Sequence, residues 1–464
     1  MARAGVQEVA FRIRRWWVRL SLGIGAALGG LLLLWGYPHV RAVLVRSSSL
    51  RAEDAEATLA RIPLLPSSMR ADLGVRYLYD PAVFDPSRAL EHLQRAVRES
   101  PFDYRNWMHL GQGYEAAGDR ARAEAAYRQA IASAPGYFLP HWLYANFLLK
   151  HGEHERALEA FARAARIHPE AVANIAALLQ HEERIAQLAR LVPEADVRAR
   201  LCAFLLSRGS LSEAVSLWRD LEWGEKAKFG LARLMIARGI GTEQYALARA
   251  LWCALGQRLF GRAACSDDLA WNGGFELAPL REMVPALSLS MLGMSEEFAV
   301  PDRDFDWRIE DEAGVLTRIA REEPYEGERA LRIEFTRHEN VRFSGVTQLV
   351  LLRPAAVYEV RFAYKAEVRG DPRVVVEIVG ARRGVPEEND VLFQWSLPRE
   401  AGRTGWTLVH EVFRTAPETS LVLLRIRRVP ADALADFVKG RLWFDAFSIR
   451  PIGEGARLEE MGTS

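Results

Sequence analysis

Four positions recur 34 residues apart. Ala89, Leu93, Ala96 and Pro101 return as Ala123, Tyr127, Ala130 and Pro135, and again as Ala157, Phe161, Ala164 and Pro169. Two alanines seven residues apart share one helix face, and their small side chains let a partner helix approach closely. The larger residue between them fills the gap, and the proline stops the helix. Gly118 and Gly152 fall where successive helices must turn. A period of this length means stacked helical hairpins, each burying its apolar face on the next.

The middle unit, "RNWMHLGQGYEAAGDRARAEAAYRQAIASAP", also carries Trp107, Leu110, Gly111 and Tyr114 in its first half. It resembles the tetratricopeptide repeat (TPR). The resemblance is clear over 86–171 and degenerate over 172–262, so an all-α solenoid is expected over 86–262. Residues 38–85 are expected to be a juxtamembrane spacer and capping helices. Such repeats have no chemistry of their own, and the face made by the first helix of each unit typically takes up a segment of another protein. In that frame Arg105, Met108, Gln112, Glu115, Trp142, Asn146 and Leu149 face the groove. The competing expectation is that they only pack neighbouring helices.

Ahead of the repeats, Leu20 to Tyr37 contains no charge. Eighteen helical residues span about 27 Å, enough for a bilayer core with some thinning. Trp16, Trp17, Trp35 and Tyr37 mark the two ends, and Arg12, Arg14, Arg15 and Arg19 crowd the N-terminal side. This pattern predicts one transmembrane helix over 20–37, a cytoplasmic basic tail over 1–19 and the bulk of the chain outside the cytoplasm. In a bacterium that is a single-pass inner-membrane protein facing the periplasm. A cleaved signal peptide is the rival reading. Gly25 and Gly29 form a GxxxG that would let two spans pack closely. The net charge of the whole chain is +1, so no field for nucleic acid is present. Arginine carries nearly all the positive charge, which reads first as codon bias.

From "LAWNGGFELAPL" onward the hydrophobic period changes from 3.6 to 2. "RALRIEFT" sets Leu331, Ile333 and Phe335 against Arg332, Glu334 and Thr336. "VYEVRFAYKAEV" sets Tyr358, Val360, Phe362 and Tyr364 against Glu359, Arg361, Ala363 and Lys365. About nine such strands predict an all-β sandwich over 263–452, followed by a tail over 453–464. The order of landmarks is "NGGFE", "YEGERALRI", Gln348, Pro354 and Tyr358, then a closing "LWFDAFSI". It is similar to the jelly-roll carbohydrate-binding modules of the broad family 4/9/22 type. That resemblance covers about 269–452. It departs from the pattern in the long first loop, Leu280 to Asp304. It implies glycan binding. Trp307, Trp395 and Trp406 are the candidate sugar platforms, with Asn340, Arg342 and Gln394 at the rim. A tryptophan at alternating spacing can equally be core. The resemblance also implies a structural calcium on Glu276 and Asp445, whose alternative role is to cap strand ends.

Cys202, Cys253 and Cys265 are too few for a disulfide framework, and are expected to be buried small apolar residues. One disulfide, Cys253–Cys265, is the alternative that an oxidising compartment would permit. "HGEHE" at His151–Glu155 looks like a metal cluster but falls in an inter-helix turn. The sequence contains no GxSxG, Walker loop, GxGxxG or HExxH. The expected function is a membrane-anchored, non-catalytic adaptor of the bacterial cell envelope, in exopolysaccharide or O-antigen synthesis or export. It would hold a protein through the repeats and a polysaccharide through the jelly roll. The rivals are a jelly-roll glycan hydrolase or lyase with a helical docking arm, and a jelly roll that only braces the scaffold.

Overall fold

The computed structural model describes residues 52–59, 66–220, 225–261, 268–284, 303–399, 402–430 and 437–452. The basic tail, the expected membrane span over 20–37 and the tail over 453–464 lie outside the described residues. Among the described residues no helix is long and apolar enough to cross a membrane. The chain forms two compact units that divide between Pro169 and Glu170.

The first unit opens with α1 (Ala52–Leu59) and continues as three helical hairpins. They are α2 (Ser67–Tyr79) with α3 (Pro86–Glu99), α4 (Tyr104–Ala116) with α5 (Arg120–Ser133), and α6 (Phe138–Lys150) with α7 (His154–Ile167). The periodic positions do what their spacing requires. Ala89, Leu93, Ala96, Ala123, Tyr127, Ala130, Ala157, Phe161 and Ala164 are all buried. A Cβ on Gly111 would lie 2.9 Å from the Tyr127 ring, so only glycine lets α4 and α5 close on that aromatic. Aspartates start the helices: Asp85 accepts from the amides of Ser87 and Arg88, Asp103 from Arg105, and Asp119 from Arg122.

The first hairpin begins earlier than the repeat pattern suggested. Residues 67–79, expected to be spacer and cap, form the first helix of a full hairpin with α3. Gly74 plays the part of Gly111, since a Cβ there would lie 2.5 Å from Leu93.

The second unit contains α8 (Val172–Leu179), α9 (Glu182–Leu191), α10 (Ala195–Ser207), α11 (Leu211–Asp220), α12 (Glu225–Gly241) and α13 (Tyr245–Phe260). These helices are less regular, yet Gly209 between α10 and α11 takes φ 84°, as Gly118 and Gly152 take 78° and 76°. A short α14 (Leu280–Met283) precedes, among the described residues, ten strands: β1 (Arg308–Ile309), β2 (Val315–Ala320), β3 (Ala330–Glu339), β4 (Phe343–Leu351), β5 (Val357–Gly370), β6 (Val374–Arg382), β7 (Val385–Ser396), β8 (Thr407–Arg414), β9 (Leu421–Arg428) and β10 (Val438–Pro451). They build two antiparallel five-stranded sheets, β1-β4-β9-β6-β7 and β2-β3-β10-β5-β8. Alternate residues of both sheets meet in one core that includes Leu331, Ile333, Phe335, Phe362, Val376, Ile378, Leu424, Ile426 and Phe444.

The Asn-Gly-Gly turn starts the sandwich because it is clamped to the last strand. Asn272, at φ 47°, exchanges two hydrogen bonds with the backbone of Leu277. The Gly273 carbonyl accepts from the Phe447 amide, and a Cβ on Gly273 would lie 1.8 Å from the Phe447 carbonyl oxygen. Buried Gln348 bonds the Trp271 amide and carbonyl. The sequence division at 262/263 differs from the compact division at 169/170 for a physical reason. Trp252 of α13 packs on Trp271 and Phe305, with ring centroids 5.1 and 6.1 Å apart. Glu243 pairs with Arg382 and Arg383 at 3.2 and 2.9 Å. The last helices are thus fastened to the sandwich. Cys202 is a buried free thiol as expected, whereas Cys253 is disulfide-bonded and so departs from the buried-apolar expectation. Cys265 lies outside the described residues.

Candidate functional site

In the first unit the first helices α4 and α6, with the end of α2, enclose a pocket of about 490 Å³. Gln112, Glu115, Asn146 and Leu149 line it together with Tyr79 and Lys150. Four of the seven groove residues read from the repeat frame therefore share one concavity. The other three lie elsewhere. Arg105 is exposed and folds back on Asp103 at 3.0 Å, Met108 is buried, and Trp142 packs on Phe138 and Phe161.

The pocket pairs charge with an apolar wall. Lys150 Nζ meets Glu115 Oε1 at 2.7 Å, and the Tyr127 hydroxyl donates to Glu115 Oε2 at 3.0 Å. Burial, reinforced by the Glu115 charge, pushes the Tyr127 phenol far up, so it stays a donor at every physiological pH. Asn146 Nδ2 donates to the Trp142 carbonyl, which leaves its amide oxygen for an incoming backbone N–H. Tyr79, 61% exposed at the rim, was missed by the repeat frame. The frame began at 86, and Tyr79 belongs to the stretch read as spacer and capping helices.

The sandwich does not gather its six glycan candidates. Trp307 is buried in the core, against Phe275 and Phe447, with its ring nitrogen donating to the Asn272 carbonyl. Trp395 turns toward the core against Phe362 and Tyr364, whereas Gln394, its neighbour on β7, is exposed. Asn340 and Arg342 sit between β3 and β4, where Asn340 accepts from Arg428 at 2.9 Å. Trp406 lies at the start of β8 beside half-exposed Tyr325, ring centroids 5.6 Å apart. Alternation could locate these residues on strands but could not bring their loops together.

Glu276 and Asp445 do converge, on the turn at 325–329. Asp445 Oδ2 accepts from the amides of Tyr325 and Glu326, and its Oδ1 from Ala446. Glu276 Oε1 accepts from Glu328 and Arg329. Burial outweighs those bonds and lifts the Asp445 carboxyl to about 6. Five backbone N–H groups point at three of the four carboxylate oxygens, so this donor set fits a loop latch better than an oxygen cage. Among the described residues no group of three or more His, Cys, Asp or Glu side chains could hold a metal. In "HGEHE", Glu153 is ion-paired to Arg120 and Arg156.

One cluster escaped the sequence reading. Glu377 is 1% exposed on the sheet face turned away from the core, and accepts from Arg425 and Arg427 at 2.8 Å each. Glu388 grips Arg425 with both oxygens, at 2.9 and 2.7 Å. Burial alone would raise the Glu377 carboxyl, but hydrogen bonds from Arg427 and Arg425 outweigh it and hold it below the usual range.

Comparison with known proteins agrees with the helical part. Tetratricopeptide-repeat family models match residues 85–138 and 114–181. TPR repeat-containing protein PA0015 of Pseudomonas aeruginosa is 42% identical over 66 residues, which are 14% of this chain and 60% of that protein. This chain thus spans less than two thirds of that relative. Among solved structures, MamA aligns with 37% of this chain and 81% of its own at 17% identity and TM-score 0.24. A family 16 carbohydrate-binding module aligns with 29% of this chain and 84% of its own at 16% identity and TM-score 0.21. A structure titled for CBM4 structure and function aligns with 29% and 78% at 13% identity and TM-score 0.20. TM-scores this low carry no argument. The buried 34-residue register and the two family models converge on one conclusion: this chain carries tetratricopeptide repeats within residues 85–181.

Proposed function

We propose that the protein is a membrane-tethered, non-catalytic adaptor of the bacterial cell envelope. The repeats hold an extended segment of a partner protein, and the sandwich, taken as a jelly roll, engages a polysaccharide during its assembly or export. The observation that carries the partner-binding half is the 490 Å³ pocket on the first helices, where Asn146, Lys150 and Glu115 surround an apolar wall. An amide that reads peptide backbone, beside a charged pair that sets register, suits a polypeptide better than a metabolite. The uncharged run over 20–37 supports the tether, and the bonded Cys253 supports an oxidising compartment such as the periplasm. Glycan binding rests on the order of landmarks in the sequence. The fastening of Trp252 to Trp271 favours a second reading of the sandwich, as a brace for the last helices.

A photo-crosslinking residue at Leu149 of the full chain tests the adaptor reading. A discrete protein adduct is expected there, lost with Asn146→Ala and Lys150→Glu and not formed from exposed Glu159. Equal adducts from both positions would remove the groove from the function.

A further inference from the structure

We infer that the sandwich carries an anion site for an acidic glycan where its two sheet edges, β1 and β2, come together. This deepens the glycan reading above and rests on it. A depression of about 530 Å³ opens there, within the range of small-ligand pockets. Arg281, Arg321 and Arg329 line it from three separate segments. Arg318 lines it as well, though strand alternation puts its side chain on the opposite face of β2 from Thr317. The lining carboxylate is Glu282. Among the described residues, no carboxylate forms an ion pair with Arg318, Arg321 or Arg329. Arg281 spends one N–H on the Trp307 carbonyl at 3.1 Å, which fixes the guanidinium and leaves its other donors.

A second observation points to a ligand. Thr317 lines the same depression, is 7% exposed, and its hydroxyl has no hydrogen-bond partner. Buried polar groups are nearly always satisfied, so an orphan hydroxyl beside a cationic wall marks a place for an oxygen-rich occupant. Half-buried Ile309 and Ile319 supply apolar surface around it. Guanidinium forks match carboxylates and phosphates alike. The apolar surface suits the C–H face of a sugar ring that carries the acid, which favours a uronic-acid residue over bare phosphate.

The test is calorimetric titration of the full chain in detergent micelles. The probes are oligogalacturonate, oligomannuronate and hyaluronan oligomers, a neutral galacto-oligosaccharide of matched length, and inorganic phosphate. At least one acidic oligomer should bind ten-fold or more tighter than the neutral one, and weaken between 50 and 300 mM NaCl. Arg321→Ala and Arg329→Ala should each lose ten-fold or more, and Thr317→Val about three-fold, with circular dichroism confirming the fold. Neutral glycan bound equally, or arginine variants that keep full affinity, would overturn the acidic site and leave the general glycan reading standing. No glycan bound by the intact protein would overturn both. Inorganic phosphate competing at the oligomer's own affinity would replace the sugar with a phosphate ligand.

Discussion

The helical hairpins and the sandwich handle polar groups in opposite ways. In α2 to α7 the interior is mostly alanine and leucine with the rings of Tyr77, Tyr127, Phe147 and Phe161; its few buried polar side chains, His92, Asn106 and His141, carry no carboxylate or guanidinium, and charges such as Glu153 with Arg120 and Arg156 meet at the surface. In the sandwich, Gln348, Glu377, Arg425, Arg428 and Asp445 are buried and bonded. A hairpin satisfies its backbone within each helix, so its packing needs only small residues in register. A sandwich whose opening turn, closing strand and sheet faces come from distant segments must fix them by directional bonds. The difference teaches where each unit is fragile: the hairpins to changes of size, the sandwich to loss of a partner.

The largest effect should come from Glu377→Ala. It leaves Arg425 with only Glu388 and Arg427 with no counterpart at that position, and removing one partner of a buried pair costs about 3–5 kcal/mol. Denaturant unfolding followed by near-ultraviolet circular dichroism should show the sandwich transition moving earlier by that amount. A shift below 1 kcal/mol would mean the network is ornament and the contrast false. In the hairpins the matching probe is Gly111→Ala, which drives a Cβ to 2.9 Å from Tyr127. Overpacking of this kind costs about 1–3 kcal/mol. Combining it with Tyr127→Leu should recover part of the loss, because the clash is with the ring. A double variant no better than the sum of the singles would locate the strain elsewhere.

A third prediction uses acid. Asp306 is 3% exposed and accepts from the Leu280 and Trp307 amides at 2.7 and 2.9 Å. Burial, aided by the neighbouring Asp304 charge, still lifts its carboxyl to about 6. Its folded pKa is above the unfolded value of about 3.9. The folded state therefore binds more proton between those values, and this group's contribution to stability falls as pH rises from about 4 to 6. Glu377, held below its usual range, acts with the opposite sign at lower pH, losing its contribution as pH falls through its folded pKa. Melting temperatures from pH 4 to 7 should show a decline that Asp306→Asn flattens. An unchanged slope in that variant would assign the decline to other groups.

These differences also explain what the residues disclosed before any coordinates. The 34-residue register is local, so Ala123, Tyr127 and Gly111 announce their neighbours by spacing alone, and the expected groove residues Gln112, Glu115, Asn146 and Leu149 fall in one pocket. Ahead of residue 86 the register breaks, because the link between α2 and α3 is longer than in the later hairpins, so Gly74 and Tyr77 fall out of the 34-residue spacing. In the sandwich, alternation identifies strands but says nothing of pairing order. Trp395 and Gln394 sit on opposite faces of one strand, and Trp307 is spent on the core. The Glu377 cluster joins β6, β7 and β9, and the arginine depression joins α14, β1 and β2. Neither has a sequence motif, since both exist only through tertiary pairing.

The smallest expected effect concerns the latch. The family resemblance implies calcium on Glu276 and Asp445, yet five backbone amides already donate to them. N–H dipoles already aimed at three of these oxygens satisfy much of the carboxylates' charge and leave less for a cation to gain there. Excess chelator should therefore shift the sandwich melting temperature by less than about 1 °C, and added calcium should not raise it, since a ligand that binds only the folded state stabilises by mass action. Asp445→Asn should destabilise modestly, because the amide oxygen can still accept from Tyr325 and Glu326 while its NH2 faces the Ala446 amide. A calcium-dependent rise of several degrees would move this corner of the sandwich from a self-contained latch to a metal site.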